Sequence, residues 1–164
     1  MQLSSRSFQD GDYLQSAHVL AAAYEFGCAG DNQSPHLAWS DPPEGTRSFA
    51  VTVFDPDAPT GCGFWHWLVV NLPADVRELP LDAGNPASGL LPAGALQIRN
   101  DFSTHAYGGP CPPAGGHPHR YQFTVYAVGE ERLAATEDTS AAVIAFQLHF
   151  KSLATAMLLG LYRH

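Results

Sequence analysis

The chain is poor in positive charge and in cysteine, and each shortage excludes something. Eight Lys plus Arg stand against sixteen Asp plus Glu, for a formal net charge of −8, so the long-range field repels phosphate backbones and anionic bilayers. Nucleic acid is therefore not an expected partner, and any anion must be held by short-range donors in a small pocket rather than by a basic patch. The three cysteines, Cys28, Cys62 and Cys111, form no CxxC pair and leave an odd thiol, a pattern that suits a reducing compartment better than a disulfide framework. No apolar run approaches the roughly 20 residues that span a bilayer. The opening MQLSSRSFQDGDYLQSAH is polar throughout and lacks the apolar segment of a secretory leader. Cytoplasmic residence without stable membrane insertion is the expectation. HExxH, GxSxG, internal repeats and low-complexity segments are also missing, which removes the signatures of zinc proteases and α/β-hydrolases.

What is present describes a folded β-rich chain. With 164 residues, 45% hydrophobic and 15% charged, the expectation is one domain over residues 1–164, since single cores hold about 100 to 150 residues and split only beyond about 250. Thirteen prolines and fifteen glycines are spread along the chain and punctuate short runs of β-branched and aromatic residues. Strands are predicted at Ser48 to Phe54, Trp67 to Asn71, Ala95 to Arg99 and Tyr121 to Val128. Alternation puts Phe49, Val51 and Val53 on one face, and Phe123, Val125 and Ala127 on another. Thr139 or Ser140 can cap a helix through AAVIAFQLHFKSLA, with Ile144, Leu148 and Lys151 recurring at helical spacing. LATAMLLGLY has the length of one last strand or a continuation of that helix. A β-rich sandwich-like domain with a helix near the C-terminus follows from these signals.

Two segments carry residues that ordinary connections do not need. In VFDPDAPTGCGFWHWLVVN, prolines at 56 and 59 push Asp55 and Ala58 out of the helical region, making a rigid turn at a strand end, where binding groups tend to sit. The bland alternative is an Asx turn in which the carboxylates cap backbone N–H groups. His66 follows at the mouth of the next strand, beside Phe64, Trp65 and Trp67. The second segment, NDFSTHAYGGPCPPAGGHPHRYQF from Asn100 to Phe123, is long for a loop inside a compact domain, as binding loops commonly are. Its glycines allow close backbone approach to an anion, and its end supplies His117, His119, Arg120 and Tyr121.

FDPDAPT, WHWLVVN, NDF, YGGPCPP and PHRYQFTVYA, in that order and at this spacing, resemble the phosphatidylethanolamine-binding protein family, also called Raf kinase inhibitor-like proteins, and its bacterial branch in particular. NQSPHLAW at Asn32 to Trp39 and GLY at Gly160 to Tyr162 extend the resemblance over nearly the whole chain. It implies two antiparallel sheets forming a β-sandwich with a peripheral C-terminal helix, and a small pocket for phosphate-type head groups. Asp55, Pro59 and His66 would form one wall, with Phe64 at the rim, and Tyr107, Gly109, Cys111, Pro112, His119 and Tyr121 the other. Asp57 would brace the loop, and Arg120 would form a supporting ion pair with a nearby carboxylate. The family's animal members often carry tryptophan where this chain has Phe64, and have a further C-terminal helix that is not expected after His164. Both departures alter the rim that would recognise a kinase or protease partner.

The expected ligand is a phosphate-bearing small molecule or head group, or a phosphorylated or acidic side chain on a partner. Histidines, a tyrosine hydroxyl and glycine N–H groups supply its hydrogen bonds. Asp55 has the wrong sign for phosphate and would serve an imidazole or an ammonium group. Binding is expected to tighten as His66 or His119 gains a proton, with an optimum at about pH 6. No catalytic residue, cofactor or metal is assigned; a small metal-dependent or histidine-based hydrolase using the same Asp/His set is the alternative. Cys111 reads as a small wall residue or a redox-sensitive thiol. A homodimer stays open, closed two-fold pairs being the commonest soluble oligomers.

Overall fold

The computed structural model describes residues 1–164. Strands β1 (Gln2–Ser4), β2 (Leu37–Ser40), β3 (Ser48–Asp55), β4 (Phe64–Pro73), β5 (Glu78–Leu79), β6 (Leu96–Gln97) and β7 (His119–Val128) precede the one α-helix, α1 (Ala141–Lys151), and the last strand, β8 (Ser152–Tyr162). They form a three-stranded sheet, β1-β2-β5, and a five-stranded sheet, β6-β4-β3-β7-β8, with antiparallel pairing throughout both. The architecture is the β-sandwich with a peripheral helix expected from the sequence.

Alternation along the central strands chooses between two cores. Phe49, Val51 and Val53 of β3 and Phe123, Val125 and Ala127 of β7 point between the sheets, where they meet Leu37, Trp39 and Leu79 of the small sheet. Ala50, Leu68, Val70 and Val128 point the other way, onto the Ala141, Ile144 and Leu148 stripe of α1. Strand β3 is thus covered on both faces, as near-continuous apolar runs require. Ser140 caps α1 by accepting a hydrogen bond from the Val143 N–H, and His149 and Lys151 stand in the last turn, where cations suit the helix dipole. Lys151 does not extend the apolar stripe but pairs with Glu130 at 2.8 Å.

Several boundaries differ from the sequence expectation. Strands β4 and β7 start earlier than the apolar alternation does, and the Ala95 to Arg99 run shrinks to the two residues of β6. LATAMLLGLY is strand: β7 fixes the register of β8 from Ser152 to Tyr162. Strands β1, β2 and β5 are two to four residues long, too short for a periodic signal.

Candidate functional site

Three neighbouring strands of the large sheet deliver the polar residues to one end of the sandwich. Asp55 is the last residue of β3, His119 the first of β7, and His66 lies near the start of β4. All three are buried. The turn after β3 is built on Asp55, whose Oδ1 accepts a hydrogen bond from the Asp57 N–H at 2.8 Å. Its other oxygen, Oδ2, lies 2.7 Å from Nδ1 of His119. The aspartate therefore serves both readings, capping the turn while holding an imidazole.

Asp57 faces away to Arg120. Its Oδ2 accepts from the Arg120 backbone N–H and from Nε, each at 2.9 Å, and its Oδ1 accepts from Nη2 at 2.8 Å. Hydrogen bonding to the Arg120 side chain draws the Asp57 carboxyl down to about 2. This ion pair ties the proline-framed turn to the start of β7 and leaves neither oxygen of Asp57 without a partner.

His66 owes its placement to a β-bulge. Between β3 and β4 the register passes from Val53↔Trp67 to Phe54↔Trp65, so His66 is the extra residue, and such a residue is turned out of the regular alternation. Its carbonyl is taken up by the loop after β6, accepting from the Gly108 N–H at 3.0 Å and from Nδ2 of Asn100 at 3.1 Å. Its Nδ1 lies 2.8 Å from the Gly108 carbonyl oxygen, so Nδ1–H donates and Nε2 is the ring nitrogen left for the cavity. The ring stands edge-on to Phe102 and Tyr121 and tilted against Phe64, with centroids 5.1 to 5.3 Å away.

These residues line one cavity of about 240 Å³, together with Ala58, Pro59 and Thr60 from the turn after β3, Phe64, Phe102, Tyr121, and Phe26, Cys111, Pro112 and Pro113 from two surface loops. Of the site residues expected from the sequence, Asp55, Pro59, Phe64, His66, Cys111, Pro112, His119 and Tyr121 are brought together here. Tyr107 and Gly109 are not on this wall. Tyr107 is fully buried behind it, its hydroxyl donating to the His18 carbonyl at 2.9 Å. The Gly109 N–H donates to Oδ1 of Asn32 at 2.8 Å and so is not offered to an anion. Glycine is needed at 109 for close approach of two chain segments, since a Cβ there would lie 2.7 Å from backbone atoms of Val19 and Leu20.

Phe26, Phe102, Ala58, Thr60 and Pro113 are wall residues that the sequence reading did not assign to the site. The signal for Phe102 was the NDF motif, whose Asn100 also accepts from Thr104 and donates to the Ala106 carbonyl. Phe26 lies in a segment without a motif.

The cysteine reading needs correction. Cys28 and Cys111 are joined in a disulfide across 83 residues, and only Cys62, exposed, is free. Spacing in sequence says nothing about a pair brought together by two loops that meet only in the fold. Cys111 is thus a wall residue in bonded form rather than a thiol beside an imidazole.

Burial holds the His66 imidazole below the ordinary histidine range, with the Gly108 carbonyl and the Asp55 charge offsetting part of that effect. Protonation of His66 near pH 6, one of the two routes expected from the sequence, is therefore disfavoured. The consequence for folding has a definite sign. The unfolded chain binds a proton at this residue at higher pH than the folded chain does, so the contribution is complete above about pH 6.5 and is lost as pH falls below it, by up to about 1.4 kcal/mol per pH unit. Urea midpoints of wild type and His66→Gln between pH 5 and 8 check this. The wild-type midpoint falls on the acid side and the variant's falls less; parallel curves would contradict the assignment.

Comparison with known proteins gives a consistent picture. A family model described as phosphatidylethanolamine-binding protein matches residues 4–163. The Escherichia coli UPF0098 protein YbhB is 51% identical over 164 residues, covering 99% of each chain. The crystal structure of E. coli YbcL, described as a new member of the mammalian family of that type, superposes with a TM-score of 0.95 at 48% identity, covering 99% of this chain and 98% of that one. A phosphatidylethanolamine-binding protein homolog from Chlamydia trachomatis gives a TM-score of 0.80 at 29% identity, covering 99% and 97%.

Proposed function

The chain belongs to the phosphatidylethanolamine-binding protein family, and on that premise we propose that it is a non-enzymatic binding protein whose cavity takes a singly protonated phosphate monoester. The observation that carries the reading is the convergence of His66, His119 and Tyr121 on one cavity, with the buried Tyr121 hydroxyl lacking any hydrogen-bond partner in the protein. A buried hydroxyl without a partner is expensive and calls for a ligand acceptor. Burial raises the Tyr121 pKa, so the phenol keeps its proton and donates.

The two imidazoles complete the set with different roles. His119, whose Nδ1 faces the Asp55 carboxylate, donates from Nε2 to a phosphate oxygen when the ligand is bound. His66, kept neutral by burial, offers the Nε2 lone pair to a phosphate O–H. The pair thus matches a monoanion that is donor and acceptor at once. The aromatic and proline walls suit the apolar part of whatever bears the phosphate, whether a small molecule or a partner side chain. Both DPDAP carboxylates are already engaged, Asp55 by its turn and His119 and Asp57 by Arg120, which counts against the metal-dependent hydrolase. No helix is long and apolar enough to cross a membrane, and the ligand is read as one met in water.

Isothermal titration with O-phosphoethanolamine and with inorganic phosphate tests the proposal. Tyr121→Phe is expected to weaken both by about fivefold, the worth of one hydrogen bond of about 1 kcal/mol, while its melting temperature stays within about 2 °C of wild type because no protein partner is lost. Equal affinity in the two chains would sink the reading.

A further inference from the structure

We propose that Cys28, Cys111 and His164 form a zinc site in the dithiol state of the chain, so that one position alternates between a cross-link and a metal clamp. The ligand atoms of these three residues lie within 4.8 Å of one another, on segments far apart in sequence. The His164 ring is packed beside Gly27, where an added Cβ would meet Cε1 at 3.4 Å, and its carbonyl accepts from the Gly115 N–H at 3.3 Å. The imidazole is thus held next to the two sulfurs by contacts that do not depend on the disulfide.

Tetrahedral zinc takes thiolate sulfur at about 2.3 Å and imidazole nitrogen at about 2.0 to 2.1 Å, which sets its ligand atoms roughly 3.5 to 4 Å apart. The present cluster needs only a local adjustment to reach that, and the Cα atoms of Cys28 and Cys111, 5.9 Å apart, already sit close enough for both sulfurs to share one ion. Cys28 is buried, Cys111 half-buried and His164 exposed, so the open fourth position faces solvent, where water or a small anion completes the shell. Two thiolates and one imidazole form a soft donor set that favours Zn²⁺ over Mg²⁺ or Ca²⁺.

The chemistry balances as follows. A dithiol reductant gives two electrons and two protons to the Cys28–Cys111 bond, yielding two thiols and the reductant's own disulfide. Zn²⁺ then displaces the two thiol protons and accepts the His164 lone pair, with net release of two protons. Disulfides are rare in reducing compartments, and in such a compartment the dithiol would be the resting form. Cys111 and the neighbouring Phe26, Pro112 and Pro113 line the cavity, so the exchange acts on the outer wall without touching the imidazoles.

The test uses the full chain with Cys62→Ser, which removes the one free thiol. It is reduced with a phosphine, which leaves as the phosphine oxide after taking oxygen from water, then desalted without oxygen and titrated with ZnCl₂ against a chromophoric chelator. The reduced chain is expected to take up one zinc tightly with release of two protons, and the oxidised chain none. His164→Ala is expected to weaken uptake by at least about tenfold, and Co²⁺ to give a thiolate-to-metal charge-transfer band only in the reduced form. Should reduction alone unfold the chain, added zinc must restore its native circular dichroism. Failure to do so, equal uptake by the oxidised chain, no uptake, or indifference to His164→Ala would each overturn the assignment. Phosphate affinity is not a readout here, so the outcome is independent of the function proposed for the cavity.

Discussion

In His119→Ala, affinity for O-phosphoethanolamine falls by about one to two orders of magnitude, and the chain loses stability as well. The first loss follows from removing a charge-assisted hydrogen bond worth about 1.5 to 3 kcal/mol. The second follows from Asp55, which is 3% exposed and 2.7 Å from the imidazole that would be gone. Removing the imidazole leaves the buried Asp55 carboxylate without that partner, at a cost of about 3 to 5 kcal/mol. The double variant Asp55→Asn, His119→Ala separates the two effects. It is expected to recover part of the stability, because no buried carboxylate is left alone, and none of the affinity. Titration calorimetry and urea denaturation of the three chains read both quantities. An alanine variant that binds as wild type does would remove His119 from the ligand site, and a double variant as unstable as the single would mean that Asp55 is satisfied without it.

The cross-link carries the other large effect. Closing a loop of 83 residues removes chain entropy from the unfolded state worth about 4.5 kcal/mol in the simplest loop model. For a chain of this size each kcal/mol moves the melting temperature by about 2 to 4 °C. Cys28→Ser with Cys111→Ala, compared with the oxidised parent in scanning calorimetry, is therefore expected to melt about 10 to 15 °C lower. A difference under about 2 °C would show that the loop is not constrained by the bond. The measurement also bears on the cavity, since Cys111 is part of its wall while Asp55, His66 and His119 are held by strands.

The sandwich was legible in the sequence because its large sheet is made of long strands with strict alternation. Phe49, Val51 and Val53 name one core unaided. The site was legible through expensive residues in stiff contexts: DPDAP, the histidine of WHW, and HRY. What the sequence did not reveal depends on contacts between distant segments. The bulge that turns His66 into the cavity is a register shift against β3 and leaves no mark in its own composition. Gly109 and Tyr107 carry motif residues, yet their polar groups are spent on Asn32 and His18, partners that local patterning cannot supply. Cys28 sits in a motif-free segment, so its bond to Cys111 was invisible until the loops were seen to meet.

The division of the cavity between strands and loops has one more consequence. Asp55, His66 and His119 sit at one end of three adjacent strands in the middle of the large sheet, and all three are buried, so their positions are set by the sheet itself. Phe26, Pro112 and Pro113 ride on loops outside both sheets. Evolution could therefore retune which substituent is admitted by editing the loops, while the grip on the charged group stays fixed by the same sheet that makes the protein fold.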